Sequence, residues 1–96
     1  MAIGRKGTAH VWLGQKIVQR APQASGVYAI FSKEDWIYVG EAGDLRKKLI
    51  AHFDGENRCI TQSDPIGFQF ELVPAKQRAA RKKKLIAELE PTCNRR

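Results

Sequence analysis

Residues 25–53 read SGVYAIFSKEDWIYVGEAGDLRKKLIAHF. Gly26 to Phe31 is an apolar run of strand length, rich in β-branched and aromatic residues, and "SKED" after it supplies a polar turn. "WIYVG" then returns as a second strand, so residues 26–40 are expected to form an antiparallel hairpin. Asp44 is placed to cap the helix that follows, in which Leu45, Leu49 and Phe53 recur at every fourth residue and so form one buried stripe.

The pattern extends in both directions. Upstream, "HVWLGQKIVQR" puts Trp12, Leu13, Ile17 and Val18 at helical spacing, interrupted only by Gly14, and Pro22 ends the segment. Residues 1–20 therefore read as an N-terminal helical extension. Downstream, "DGENRCITQSDPIG" scatters Gly, Pro, Asn and Asp and is expected to be a loop. "FQFELV" alternates Phe68, Phe70 and Leu72 against Gln69 and Glu71, the period of a half-buried strand. Pro74 opens a last helix near residue 75, and Pro91 closes it. The expected fold is α/β, a small three-stranded, mostly antiparallel sheet flanked by helices in the order α-β-β-α-β-α. Trp12 and Trp36 are too isolated for base stacking and are assigned to packing.

A chain of 96 residues makes one small domain that buries only ~60–65% of its unfolded surface. Its 43% apolar and 28% charged residues are those of an ordinary globule. Neither a membrane span nor a cleavable leader is recognisable, and the expectation is a cytoplasmic protein with no membrane partner. Cys59 and Cys93 lie far apart without a CxxC pair or clustered histidines, which predicts free thiols. The net charge of +7 favours a polyanionic partner, most simply nucleic acid. From Lys76 to Lys84 six of nine residues are basic and none acidic, and Arg46, Lys47 and Lys48 form a second cluster. The candidate nucleic-acid contacts are Arg46, Lys47, Lys48, Lys76, Arg78, Arg81, Lys82, Lys83 and Lys84.

Gly26-Val27-Tyr28 and Tyr38-Val39-Gly40 resemble the paired triplets of the GIY-YIG endonuclease superfamily. "GEAGDLRKKLIAHF" resembles the family's first helix, and "KKLIAELEPTCN" resembles its last helix and closing Pro-x-x-Asn, so that residues 25–94 form the family core within a single domain spanning 1–96. The resemblance implies hydrolysis of a DNA phosphodiester with one divalent metal held by a helix glutamate, an arginine against the phosphate, and tyrosines near the attacking water. A metal suits that chemistry because it polarises the phosphoryl oxygen and stabilises the leaving oxyanion. By this resemblance Tyr28, Tyr38 and His52 take catalytic positions, Gly26 and Gly40 are structural, and Asn94 ties down the chain end.

Two positions depart from the family pattern. The phosphate-binding arginine, four residues before the histidine and eight after the second triplet's glycine, falls on Lys48. The metal-binding glutamate, twelve residues before the closing asparagine, falls on Lys82. On a helical wheel Lys82 sits among Leu85, Ile86 and Leu89, with Ala75 and Ala79 on the same side, and so is expected to point at the core face. There its ammonium must snorkel to the rim, pair with Glu41 or Glu71, or meet a bound anion. Protonated lysine cannot ligate a cation, and Lys48 keeps its charge but lacks the planar fork that grips phosphate.

Three functions follow. The favoured one is a nuclease-like, DNA-binding domain impaired in metal-dependent cleavage, with no cofactor. A second is an active endonuclease in which Glu41, Glu88 or Glu90 recruits Mg²⁺ or Mn²⁺. A third is an interaction module whose basic face binds an acidic protein.

Overall fold

The computed structural model describes residues 3–4 and 7–94. Its order is β1 (His10–Val11), α1 (Gly14–Arg20), β2 (Gly26–Phe31), β3 (Trp36–Ala42), α2 (Leu45–Phe53), α3 (Arg58–Gln62), β4 (Gly67–Leu72), α4 (Ala75–Leu89) and a closing 3₁₀ turn at Thr92–Asn94. The strands form one antiparallel sheet in the order β1-β4-β2-β3.

The expected hairpin is present. Its turn is closed by Ser32, whose N–H donates to the Asp35 carbonyl at 2.8 Å while its Oγ accepts from the Asp35 N–H at 3.0 Å. β2 is the central strand, with both neighbours bonded along its whole length. Tyr28 and Ile30 project to one face, where α1, α2 and α3 contribute Ile17, Leu45, Leu49 and Ile60. Val27 and Ala29 project to the other, where Leu85 of α4 packs with Val39. Asp44 caps α2 as expected, accepting from the Lys47 N–H at 3.0 Å.

The glycines of the two triplets are required by close approach. A Cβ at Gly26 would lie 2.2 Å from the Glu71 carbonyl oxygen of the neighbouring strand. A Cβ at Gly40 would lie 2.3 Å from the Tyr28 hydroxyl, because the ring of Tyr28 lies across its cross-strand partner. Each triplet thus makes room for its neighbour in the sheet.

Several expectations need correction. The sheet has four strands, not three, because His10 and Val11 pair with Phe68 and Gly67. Two residues are too few to show alternation, so the segment was absorbed into a helix that begins only at Gly14. Within the expected N-terminal helical extension, the part before His10 contains no helix among its described residues, and residues 1–2 and 5–6 lie outside the described ones. The expected loop contains α3, nucleated by Asn57, whose Oδ1 accepts from the Cys59 and Ile60 N–H groups. Cys59 and Cys93 are not free thiols but form a disulfide, since α3 packs beside the closing turn. A bridge across 34 residues of sequence stabilises a small domain by about 3–4 kcal/mol in the chain-entropy account. On α2 the buried stripe is continued by His52 and not by Phe53, which is 40% exposed against Trp12. Leu72 is also exposed, at the end of β4.

α4 differs from its helical wheel in one respect. Ala75 and Ala79 are exposed, and the inner stripe runs through Arg78, Lys82, Leu85, Ile86 and Leu89. Its first half is held by ion pairs instead of apolar packing: Arg78 to Glu41 at 3.2 Å, and Arg81 to Glu71 through two bonds of 2.8 and 2.9 Å. No helix among the described residues is long and apolar enough to cross a membrane.

Candidate functional site

Tyr28, Tyr38 and His52 come together on the α2 face of the sheet. Tyr28 is delivered by β2, Tyr38 by β3, and His52 by the last turn of α2. The Tyr28 hydroxyl and His52 Nε2 share a hydrogen bond of 2.6 Å, and the Tyr38 ring stands edge-on to the imidazole at 5.3 Å between centroids. Tyr28 is wholly buried, whereas Tyr38 is partly exposed. Of the two phenols, Tyr38 is therefore the one that solvent or a ligand reaches.

Burial, then Tyr38 and Glu56, push the Tyr28 phenol far above its ordinary range. Burial, then Lys48, pull His52 below its ordinary value, with Glu56 opposing. A neutral phenol therefore faces a neutral imidazole. With the ring proton on Nδ1, the phenol donates to Nε2 and the Nδ1–H turns toward the Glu56 carboxylate, 3.7 Å away. That distance is beyond a direct hydrogen bond, and Nδ1 is enclosed without another partner.

Glu56 was not singled out in the sequence, because it falls beyond the expected end of α2. Its Oε1 accepts from Lys48 Nζ at 2.9 Å, and this hydrogen bond is the first cause of its lowered pKa. Lys48, His52 and Glu56 are spaced i, i+4, i+8, and that register was the available signal for them.

Beside this cluster an open groove of about 460 Å³ is lined by Glu41, Asp44, Lys47, Lys48, Glu56 and Arg78, among others. Three acids face three bases there. Glu41 is engaged by Arg78, Glu56 by Lys48, and Asp44 caps its helix. Lys82 stands on the helix over the opposite face, half-buried one turn beyond Arg78, and forms no ion pair or side-chain hydrogen bond among the described residues. The carboxylates considered as its partners, Glu41 and Glu71, belong to Arg78 and Arg81.

The other basic candidates divide by role. Lys47, Lys76, Lys83 and Lys84 are exposed. Arg46 spends its Nε–H on the Ala21 carbonyl at 2.9 Å, tying α2 to the end of α1. Asn94 bonds the β3 backbone from its side chain, Oδ1 accepting from the Val39 N–H at 2.8 Å and Nδ2 donating to its carbonyl at 3.0 Å. It thus extends the sheet edge at the residue between Tyr38 and Gly40.

Lys82, at the position the resemblance gives to the metal-binding carboxylate, is a cation that cannot ligate a metal. Among the described residues no three His, Cys, Asp or Glu side chains converge to hold one. Glu88 and Glu90 are exposed at the far end of α4.

A family model described as the GIY-YIG catalytic domain matches residues 24–92. UvrABC system protein C of Fervidobacterium nodosum is 40% identical over 50 residues, 49% of this chain but only 9% of that relative's length. Among solved structures, the GIY-YIG N-terminal endonuclease domain of UvrC from Thermotoga maritima, bound to its catalytic magnesium, has a TM-score of 0.74 at 21% identity and covers 85% of this chain and 96% of that one. A point mutant of the same domain has a TM-score of 0.69 at 23% identity, covering 86% and 96%. At these identities the structural likeness shows the fold.

Proposed function

This chain belongs to the GIY-YIG family, and from that premise we propose that it binds nucleic acid, with DNA as the working substrate, and is impaired in metal-dependent phosphodiester cleavage. The observation that carries the reading is Lys82: at the position where the family places its metal-binding carboxylate there is an ammonium on the inner stripe of α4. A fixed positive charge there repels a divalent cation and attracts a phosphate. Lys48 in place of arginine keeps charge without bidentate geometry, which weakens orientation of the phosphate more than attraction to it. Tyr38 is the partly exposed phenol of the site, and Tyr28 holds the buried His52 in position beside it.

The net charge of +7 and the exposed Lys47, Lys76, Lys83 and Lys84 support a polyanionic partner. The active-nuclease reading is weaker because Glu41, the one of its three candidate carboxylates that lines the groove, is engaged by Arg78.

The test is nicking of supercoiled plasmid with Mg²⁺ or Mn²⁺ against an EDTA control. Wild-type protein is expected to bind the plasmid and leave it uncut, while Lys82→Glu combined with Lys48→Arg gains metal-dependent nicking. EDTA-sensitive cutting by the wild type would refute impairment. Failure to retard duplex DNA would refute the binding reading.

A further inference from the structure

No aspartate or glutamate precedes Glu34, and the charged side chains on β1, α1 and β2 are the α1 cations Lys16 and Arg20. Lys16 and Arg20, one turn apart on α1, converge with His10 of β1 on a cavity of about 170 Å³. Neither cation has an ion pair or side-chain hydrogen bond among the described residues. The His10 ring is stacked on Phe70 at 5.5 Å, and its Nε2 is enclosed without a partner. Like charges at this helical spacing repel. An anion between them removes the repulsion and supplies the missing acceptors.

This cavity lies at one edge of the sheet, since β1 is an outer strand. The groove with Lys47 and Lys48 lies at the other, beside β3. With strands about 4.8 Å apart the two edges are separated by roughly 14 Å. His10 lies in the row of Phe68, Ile30 and Tyr38, and the groove begins three residues further along β3 at Glu41, an offset of about 10 Å that puts the sites roughly 17 Å apart. That is close to the ~12 Å clear width of a duplex major groove plus the radii of the phosphates that line its two rims.

Resting on the nucleic-acid reading above, we infer that Lys16, Arg20 and His10 form a second phosphate site, which holds one backbone of a duplex while the Lys47–Lys48 groove holds the other. The groove alone is a poor anchor, because its three acids balance its three bases. The α1 site has no acid to displace and therefore contributes the larger share of the salt-dependent affinity. Burial, and then Arg20, lower the pKa of His10, so the imidazole is a neutral wall and the two side-chain cations make the phosphate contacts.

The experiment is fluorescence anisotropy of a labelled 20-base-pair duplex titrated with wild type, Lys16→Gln/Arg20→Gln, and Lys33→Gln as a single-charge control in the hairpin turn. Losing two phosphate contacts makes the slope of log K against log salt shallower by about 1.8. The advantage of the wild type over the double variant should then shrink about tenfold between 50 and 200 mM salt, while Lys33→Gln tracks the wild type. Circular dichroism confirms that each variant is folded. A double variant that keeps the wild-type slope overturns the α1 site and leaves the nucleic-acid reading standing. So does a Lys33→Gln loss equal to half that of the double variant, because charge alone would then explain the result. Absence of salt-sensitive duplex binding by the wild type overturns both.

Discussion

On the face of the sheet covered by α1, α2 and α3, polar side chains run in sequence: Lys48 bonds Glu56, Glu56 faces His52, and His52 bonds Tyr28, whose ring fills the space over Gly40. On the face covered by α4, Arg78 and Arg81 pair with Glu41 and Glu71, and Lys82 beyond them pairs with nothing described. The difference is one of dependence. The Tyr28–His52 end of the α2-side network is packed into the core, with the Lys48–Glu56 pair exposed at its rim, so the core end is held by the fold whether or not the domain cleaves anything. On the α4 side, the position that the family resemblance assigns to a metal-binding carboxylate holds Lys82, which no described side chain pairs with. Motif tyrosines and glycines therefore report the fold, and the proposal on cleavage stands on Lys82.

The largest expected effect tests whether the α2 side really is core. Gly40→Ala puts a methyl 2.3 Å from the Tyr28 hydroxyl and 2.4 Å from its ring carbon. Neither β3 nor a fully buried tyrosine can yield without disturbing the His52 bond. Urea denaturation should show a loss of about 3 kcal/mol or more, the upper range for overpacking a core. Retained stability would mean that the ring has room to move, and the core end of the network would be a loose one.

A smaller effect separates the cations of α4. Arg81→Met leaves the part-buried Glu71 carboxylate without its two charge-assisted bonds and should cost about 1–3 kcal/mol. Burial opposes ionisation of Glu71, and the Arg81 bonds overcome it to leave the pKa lowered. Lys82→Met removes a half-buried ammonium that bonds no described side chain, so its stability should be unchanged or raised by up to about 1 kcal/mol. A large loss on Lys82→Met would show that Lys82 has a structural partner, and the contrast between the two faces would fail.

Local chemistry explains what the sequence disclosed. GVYAIF and WIYVG carry their strand signal in β-branched and aromatic residues, and Asp44 announces α2 from the adjacent position. The family resemblance assigns Tyr28 and Tyr38 by the triplets and His52 by its spacing on α2, and the fold brings the three together. What stayed hidden depends on partners distant in sequence. β1 exists because Phe68 and Gly67 offer it an edge, and the disulfide because α3 reaches the closing turn. The engagement of Arg78 with Glu41 spans 37 residues, and nothing in the run "KQRAARKKK" separates the arginines that grip the sheet from the lysines left in solvent. Glu56 was missed for a nearer reason: α2 ends at Phe53, and the turn at Gly55 folds the chain back so that Glu56 meets Lys48 and His52.

The smallest effect concerns the protonation of His52 and is read as a slope. Tyr28, Tyr38, Lys48 and Glu56 face this imidazole. Burial and Lys48 depress its pKa against the opposing pull of Glu56. Above the ordinary value of 6.5 both folded and unfolded chains hold it neutral, and stability is independent of its titration. As pH falls below that value the unfolded chain takes up the proton first, so stability declines until the depressed folded pKa is reached. His10 is shifted in the same direction and adds a decline of its own, which a His52→Gln variant retains. Denaturation midpoints measured from pH 7.5 down to pH 5 should therefore fall more steeply for the wild type than for His52→Gln. If the wild type instead gained stability relative to the variant on acidification, the imidazolium would be the favoured folded form, held by Glu56. The α2-side network would then be an ion pair that titrates near neutrality, able to supply a proton, and the contrast with α4 would lie in the sign of its charge and no longer in its independence of a ligand.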